Sequence, residues 1–198
     1  MSRYDARSAL IVVDVQNDFA DPRGSLYVQG GQEVVPIINA EIDAALAAGG
    51  SVFYTQDWHP ASTPHFKKDG GIWPEHCVQG TWGAEPHPDL RVPGEVVRKG
   101  TAGEDGYSGF TVRDPRTGQT HQTPLEDRLR ERGIERILVV GLATDYCVKA
   151  TAIDGAHLGF KTSVLPEAIR AVNLDPGDGE RALEEMRAAG VNVVTSDQ

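Results

Sequence analysis

Cys147 lies at a point in the sequence where a strand gives way to a helix. Residues 137–140 are apolar, Gly141 follows them, and a helical pattern begins near the cysteine. The first N–H groups of a helix lack internal partners and carry a partial positive charge, which predicts a lowered thiol pKa and donors for an oxyanion. This pattern suits a cysteine nucleophile. The alternative is that Cys147 is a small buried hydrophobe, the usual fate of a free cysteine.

Two further charged residues follow apolar segments in the same way. Asp14 closes the run 9–13, and Lys99 closes a short segment that begins at Glu95. If these segments are strands of one parallel sheet, their carboxyl ends meet at the edge where such sheets bind ligands. A carboxylate can take a proton from a thiol, and a nearby ammonium ion favours the charged forms of both. We therefore predict a catalytic set of Asp14, Lys99 and Cys147, although each residue alone has an ordinary structural explanation.

A second group of polar residues follows the next predicted strand. Asp57 and His59 come at its end, and His65 and His76 lie further along the loop 58–94. Loops of this length are uncommon inside compact domains and are usually functional. One carboxylate and two or three imidazoles suit zinc, manganese or iron, and leave positions open for water or substrate. Histidines in loops are more often only solvated or hydrogen-bonded, so the spacing alone leaves that alternative open.

The elements that must position these residues alternate along the chain. Apolar periodicity and turn residues predict six strands and four helices, connected by right-handed crossovers. The predicted strands are 9–13, 51–55, 95–97, 137–140, 162–165 and 191–194, and the predicted helices are 32–48, 123–132, the segment from Cys147 to Gly159, and 178–189. We expect one domain over residues 1–198, a doubly wound three-layer α/β/α fold around a mainly parallel six-stranded sheet. The polar segment 113–122 is an excursion from this pattern.

Composition restricts the kind of partner. The 198 residues include 19 basic and 29 acidic side chains, and the net charge of −10 argues against nucleic acid and anionic membranes as partners. Two cysteines, a polar start without signal-peptide features and the absence of a long apolar run predict a cytoplasmic protein. A small, weakly charged substrate is the expected partner. Assembly into a homo-oligomer is left open.

The motifs resemble those of the nicotinamidases, a branch of the isochorismatase-like cysteine hydrolases, along nearly the whole chain. The matching stretches are VDVQNDF at 13–19, DWHP at 57–60, WPEHCV at 73–78, RKG at 98–100, YSGF at 107–110 and GLATDYCV at 141–148. The resemblance implies that Asp14, Lys99 and Cys147 form a catalytic triad. It also implies hydrolysis of nicotinamide to nicotinate and ammonia through a thioester, activity on pyrazinamide, and a place in NAD salvage.

The resemblance also implies roles for residues around the triad. The backbone N–H groups of Ala143 and Cys147 would form the oxyanion hole, beside a cis Leu142–Ala143 peptide bond. One divalent transition metal, with zinc as the first choice and iron or manganese as alternatives, would bind the pyridine nitrogen. Its ligands would be Asp57, His59 and His76, together with His65, which matches a ligand found in only some members.

Three aromatic residues match positions around the ring in that family, namely Phe19, Trp73 and Tyr107, where stacking and apolar burial favour a flat heteroaromatic substrate. Ordinary loop packing is the alternative for each of them. The role of Tyr146 is left open. Two functions compete with nicotinamide hydrolysis: another small-amide hydrolase of the same superfamily, and a non-catalytic binding module that has kept the fold.

Overall fold

The computed structural model describes residues 3–195, and a six-stranded parallel sheet forms its centre. The strands are β1 (Ser8–Val13), β2 (Ser51–Asp57), β3 (Glu95–Lys99), β4 (Thr111–Arg113), β5 (Thr120–Gln122), β6 (Arg136–Leu142), β7 (Lys161–Arg170) and β8 (Asn192–Val193). The helices are α1 (Asn17–Ala20), α2 (Val34–Ala47), α3 (Leu125–Glu131), α4 (Lys149–His157) and α5 (Asp178–Ala188). The sheet order is β3-β2-β1-β6-β7-β8, and β4 and β5 form a separate antiparallel hairpin.

The central strand β1 shows why the domain has three layers. All six of its residues are buried, as expected for a parallel strand covered on both faces. Leu10 and Val12 pack in one apolar cluster with the buried face of α2. Ile11 and Val13 pack in a second cluster with apolar residues of α3, α4 and α5. Successive side chains of a strand point to opposite faces, so one apolar strand supplies both cores.

The predicted three-layer fold and six-stranded sheet are confirmed, with differences at the ends of elements. Strands β2, β6 and β7 are longer than predicted, because residues beyond the apolar runs, such as Asp57 in β2 and Leu142 in β6, keep the ladder pairing. The helix predicted at 32–48 begins with a 3₁₀ turn at Gly31–Glu33 before α2. The polar segment 113–122 contributes to the β4–β5 hairpin, whose strands are too short and too exposed to show an apolar pattern.

Gly141 determines how the chain leaves β6. Its φ is +114°, a conformation that side chains rarely adopt, and a Cβ atom there would lie 2.1 Å from the carbonyl oxygen of Val13. Only glycine fits so close to the backbone of β1. The end of β6 is therefore held against the end of β1.

This contact lies at the point where the chain order reverses. From β1 the sheet continues to β2 and β3 on one side, and from β6 to β7 and β8 on the other. Open α/β sheets bind ligands outside the carboxyl ends of the strands at such a reversal. Among residues 3–195, no helix combines the length and apolar character that crossing a bilayer requires.

Candidate active site

The three residues of the predicted triad lie together at the carboxyl ends of β1, β3 and β6. Asp14 follows β1 with a left-handed φ of 47°, and its Oδ1 accepts a 2.6 Å hydrogen bond from Thr55 Oγ1. Lys99 Nζ lies 2.7 Å from Asp14 Oδ2 and 3.6 Å from Cys147 Sγ. All three side chains are buried. A carboxylate, an ammonium ion and a thiol therefore share one enclosed space.

Asp57 joins this triad to the predicted metal ligands. The parallel register places Asp57 opposite Lys99, and its Oδ1 lies 2.7 Å from Lys99 Nζ. Its other oxygen, Oδ2, lies 3.6 Å from His59 Nε2 and 3.9 Å from His76 Nε2. Sequence reasoning assigned Asp57 to the metal alone. The structure shows that one carboxylate contacts both groups.

Burial and charged neighbours act in opposite directions on the pKa values of the triad and of Asp57. Burial raises the pKa of Asp14 to about 6, an effect that the Lys99 ammonium partly offsets. Burial would lower the pKa of Lys99, but the carboxylates of Asp14 and Asp57 hold it well above its usual value. Burial would likewise raise the pKa of Asp57, and Lys99 together with His59 holds it below its usual range. The site therefore contains one readily protonated carboxyl group, Asp14, beside a fixed ion pair.

The predicted lowering of the thiol pKa is wrong. Burial raises the pKa of Cys147 well above its usual value; Lys99 opposes the rise, and Asp14 adds to it. Cys147 also lies inside a π-helical turn, Thr144–Val148, that precedes α4, rather than at the start of an α-helix. The resting thiol thus carries its proton, so nucleophilic attack requires a base. The Leu142–Ala143 peptide bond is cis, and Ala143 lines the same pocket as Cys147.

His59, His65 and His76, here called the imidazole cluster, each offer a ring nitrogen within 4.8 Å of the others. Neither ring nitrogen of His59 has a hydrogen-bond partner among residues 3–195, although the side chain is fully buried. His76 Nδ1 lies 2.8 Å from the carbonyl oxygen of Pro74, which can only accept, so Nδ1 donates and Nε2 is left facing Asp57.

These residues fit a divalent transition metal. Buried polar groups normally have partners, and an ion would satisfy the otherwise orphaned His59. Burial lowers the pKa of His76 to about 4, which keeps its imidazole neutral at neutral pH, the form that binds metals. Three imidazoles and one carboxylate form a donor set that zinc accepts.

An aromatic pocket opens over both groups. Phe19, Trp73 and Tyr107, the predicted ring contacts, line it together with Cys147 and His76. The Trp73 indole N–H donates a 2.8 Å hydrogen bond to the Tyr107 hydroxyl, which ties two loops together. The ring of Tyr146 lies edge-on to Trp73, 4.9 Å between centroids, and forms a further part of the wall. A flat molecule in this pocket would reach the thiol and the imidazoles at once.

Sequence reasoning missed residues that hold the site in place. Gln16 pairs with the backbone of Asp57: its Oε1 accepts the Asp57 N–H at 2.8 Å and its Nε2 donates to the Asp57 carbonyl at 2.8 Å. The carboxylate of Asp105 lies 2.6 Å from His65 Nδ1. Gln16 lies inside a recognised motif and could have been noticed there. Asp105 lies in a polar loop whose spacing carries no structural signal.

Comparison with known proteins agrees with this geometry. The Isochorismatase domain matches residues 8–198. The nicotinamidase of Escherichia coli strain K12 is 38% identical over 205 residues, covering 94% of this chain and 94% of that protein. The crystal structure of the pyrazinamidase of Pyrococcus horikoshii in complex with zinc has a TM-score of 0.84 and 40% identity, covering 96% of this chain and 99% of that one. The structure of PnC1 from L. infantum in complex with nicotinate has a TM-score of 0.88 and 36% identity, covering 98% and 96%.

The chain therefore belongs to the isochorismatase family, and the resemblance read from its motifs is confirmed. Within that family it is an amide-hydrolysing enzyme, because it matches amidases over nearly their whole length. The alternative of a non-catalytic binding module is not supported.

Proposed function

We propose that the protein is a nicotinamidase, which converts nicotinamide to nicotinate and ammonia with Cys147 as nucleophile. The observation that carries this proposal is one pocket lined by the Cys147 thiol, by His65 and His76 of the imidazole cluster, and by aromatic side chains. A carboxamide at the thiol would leave its flat ring between the aromatic side chains. The zinc and nicotinate complexes of the relatives support a metal and a pyridine ligand.

In the first half-reaction, Asp14 takes the Cys147 proton while the sulfur bonds to the carboxamide carbon. The backbone N–H groups of Ala143 and Cys147 stabilise the oxyanion that forms on the carbonyl oxygen. Asp14 then returns the proton to the leaving nitrogen, the C–N bond breaks, and ammonia departs from a thioester. Lys99, 2.7 Å from the carboxylate, stabilises the ionised form of Asp14 before the first transfer and after the second.

In the second half-reaction, Asp14 accepts a proton from water, whose oxygen attacks the thioester carbon. The C–S bond breaks, Asp14 returns the proton to the sulfur, and the acid that is released loses its own proton to solvent as nicotinate. Because the resting thiol is protonated, Asp14 serves as base at the start and as acid for the leaving group.

Asp57, His59 and His76, joined by His65, would hold one divalent transition metal, with zinc as the first choice and iron or manganese as alternatives. When bound, such an ion supplies a Lewis acid that the pyridine nitrogen can bind. Phe19, Trp73 and Tyr107 would orient the ring so that the carboxamide reaches Cys147. Pyrazinamide, which differs by one ring nitrogen, should be accepted as well. The activity would serve NAD salvage in the cytoplasm, within one hydrolase domain over residues 1–198.

The test is to incubate the purified protein, loaded with zinc, with nicotinamide and to measure ammonia and nicotinate. We expect equal amounts of both products and a comparable reaction with pyrazinamide. If neither amide releases ammonia when metal has been restored, the proposal is wrong. A panel of small linear amides without a pyridine ring would then identify a different amidase of the family.

A further inference from the structure

The β4–β5 hairpin takes no part in the proposed chemistry, yet it holds a carboxylate against the imidazole cluster. The N–H of Asp105 donates to the carbonyl of Arg113 at 2.8 Å, and the N–H of Arg113 donates to the carbonyl of Asp105 at 3.0 Å. This pair of bonds fixes the backbone of Asp105 independently of its side chain. The carboxylate is thereby directed to His65, with 2.6 Å between Oδ1 and Nδ1.

The chemistry of this contact determines which nitrogen of His65 carries the hydrogen. A carboxylate can only accept, so the hydrogen must lie on Nδ1 of His65. In the neutral ring the lone pair is then on Nε2, the nitrogen on the far side from Asp105. The ring of His65 stacks on that of His59 with 4.7 Å between centroids, and it offers a nitrogen within 4.8 Å of the other two histidines.

We propose that Asp105 is a positioning residue for the metal: it fixes the tautomer of His65 and directs Nε2 to the ion. His65 is then a fourth protein ligand in this chain, beside Asp57, His59 and His76. Carboxylate partners of this kind orient histidine ligands and raise their basicity. The inference rests on the proposed metal-dependent function and adds to it a fourth protein ligand and the residue that positions it.

The position of Asp105 in the chain explains why activity alone cannot test this role. The next residue, Gly106, accepts a hydrogen bond from Lys99 through its carbonyl, and Tyr107 lines the pocket. A displaced segment would therefore disturb the triad and the ring pocket together. The test must read the metal directly.

The experiment measures zinc affinity of the purified protein by competition with a chromogenic chelator. We expect Asp105→Ala to weaken zinc binding by about 10- to 100-fold. Asp105→Asn keeps an acceptor oxygen and should lose less. Glu104→Gln is the matched control, because this neighbouring carboxylate is half-buried like Asp105 and, among residues 3–195, accepts a hydrogen bond from the Ala102 N–H alone, at 2.9 Å. Its zinc affinity should equal that of the unmodified protein.

Two further measurements show whether Asp105 acts through His65. The double variant Asp105→Ala/His65→Ala should bind zinc as His65→Ala does, because the contact is already gone. The visible absorption of the cobalt(II)-substituted protein should change in Asp105→Ala and His65→Ala but not in Glu104→Gln. Unchanged zinc affinity and an unchanged cobalt spectrum in Asp105→Ala would overturn the inference, as would fully additive losses in the double variant.

These outcomes are separate from a failure of the proposed function. If the unmodified protein hydrolyses nicotinamide while Asp105→Ala binds zinc normally, only the role of Asp105 is lost. If the unmodified protein releases no ammonia from nicotinamide, the substrate is wrong, and the zinc and cobalt measurements still decide whether Asp105 positions His65.

Discussion

Asp57 contacts both the proposed triad and the imidazole cluster, but different parts of the fold hold these two groups in place. Asp14, Lys99 and Cys147 lie at or just beyond the ends of three sheet strands, where ladder register fixes the backbone. His65 and His76 lie in a long loop between β2 and β3, where side-chain contacts replace the ladder. The position of the nucleophile should therefore be unchanged when the metal is lost. The positions of the metal ligands, by contrast, should depend on individual side-chain contacts.

The largest expected effect is that of Cys147→Ala on hydrolysis. Removing a catalytic nucleophile lowers kcat by factors on the order of 10⁴ to 10⁶, so ammonia release should fall to background. Zinc affinity should stay unchanged, because Cys147 contacts Lys99 of the triad rather than the histidines. The matched control is Cys77→Ala, since Cys77 is fully buried and donates its thiol weakly to the carbonyl of Gly83. Turnover that survives in Cys147→Ala would contradict the assignment of the nucleophile.

Removing a member of the imidazole cluster should impair substrate binding and leave the triad in place. His76→Ala should lower kcat/KM on the order of 100-fold or more, mainly through KM, because the ring loses its anchor. Bound zinc should fall in parallel, and a chelator should have the same effect on the unmodified protein. His87→Ala is the control histidine: it is also buried, but its Nδ1 accepts the Asp89 N–H and it lies outside the cluster. Equal activity of His76→Ala and His87→Ala would make the cluster structural.

The pH profile tests the assignment of the base. Burial raises the pKa of Asp14 to about 6, and only its ionised form can take the thiol proton. As the pH falls below about 6, kcat/KM should therefore drop about tenfold per unit. Thr55→Val removes a hydrogen bond that favours the ionised form, so the break should move to higher pH. A flat profile down to pH 5, or a break that stays in place in Thr55→Val, would rule out Asp14 as the titrating base.

The same contrast between sheet edge and loop explains how much could be predicted from the sequence. Apolar runs identify parallel strands, and such strands bring their carboxyl ends together, so Asp14, Lys99 and Cys147 could be grouped from the order of residues alone. The shared role of Asp57 follows from the register between β2 and β3, which periodicity does not give. The raised thiol pKa depends on the depth of burial, which a motif does not report.

Loop contacts are still less accessible to sequence reasoning. Asp105 is 40 residues from His65, and no repeat of apolar positions links the two. Their contact depends on the β4–β5 hairpin, whose short exposed strands resemble an ordinary polar loop in the sequence. Family resemblance could nominate the histidines as ligands but not the carboxylate that orients one of them.

The smallest expected effect concerns Asp18, whose hydrogen bonds hold the backbone next to the imidazole cluster. Asp18, nearly buried in α1, accepts the Cys77 N–H at 2.7 Å and the Ser25 N–H at 3.1 Å. Cys77 directly follows His76 and has a φ of 46°, so this contact holds the chain in an unusual conformation beside a proposed ligand. In Asp18→Asn, the side-chain NH2 group would face one of the two backbone N–H donors. Because both groups are donors, that hydrogen bond would be lost.

We expect Asp18→Asn to lower the free energy of unfolding by about 1–2 kcal/mol in a urea titration and to weaken zinc binding slightly. Turnover at saturating nicotinamide should stay within about twofold, because the triad is held by the sheet and not by this loop. Asp21→Asn is the matched control, since Asp21 immediately follows the same helix and pairs with the exposed Arg23, a contact worth about 0–1 kcal/mol. A large loss of turnover in zinc-saturated Asp18→Asn would show that the loop and the sheet edge are coupled rather than held separately.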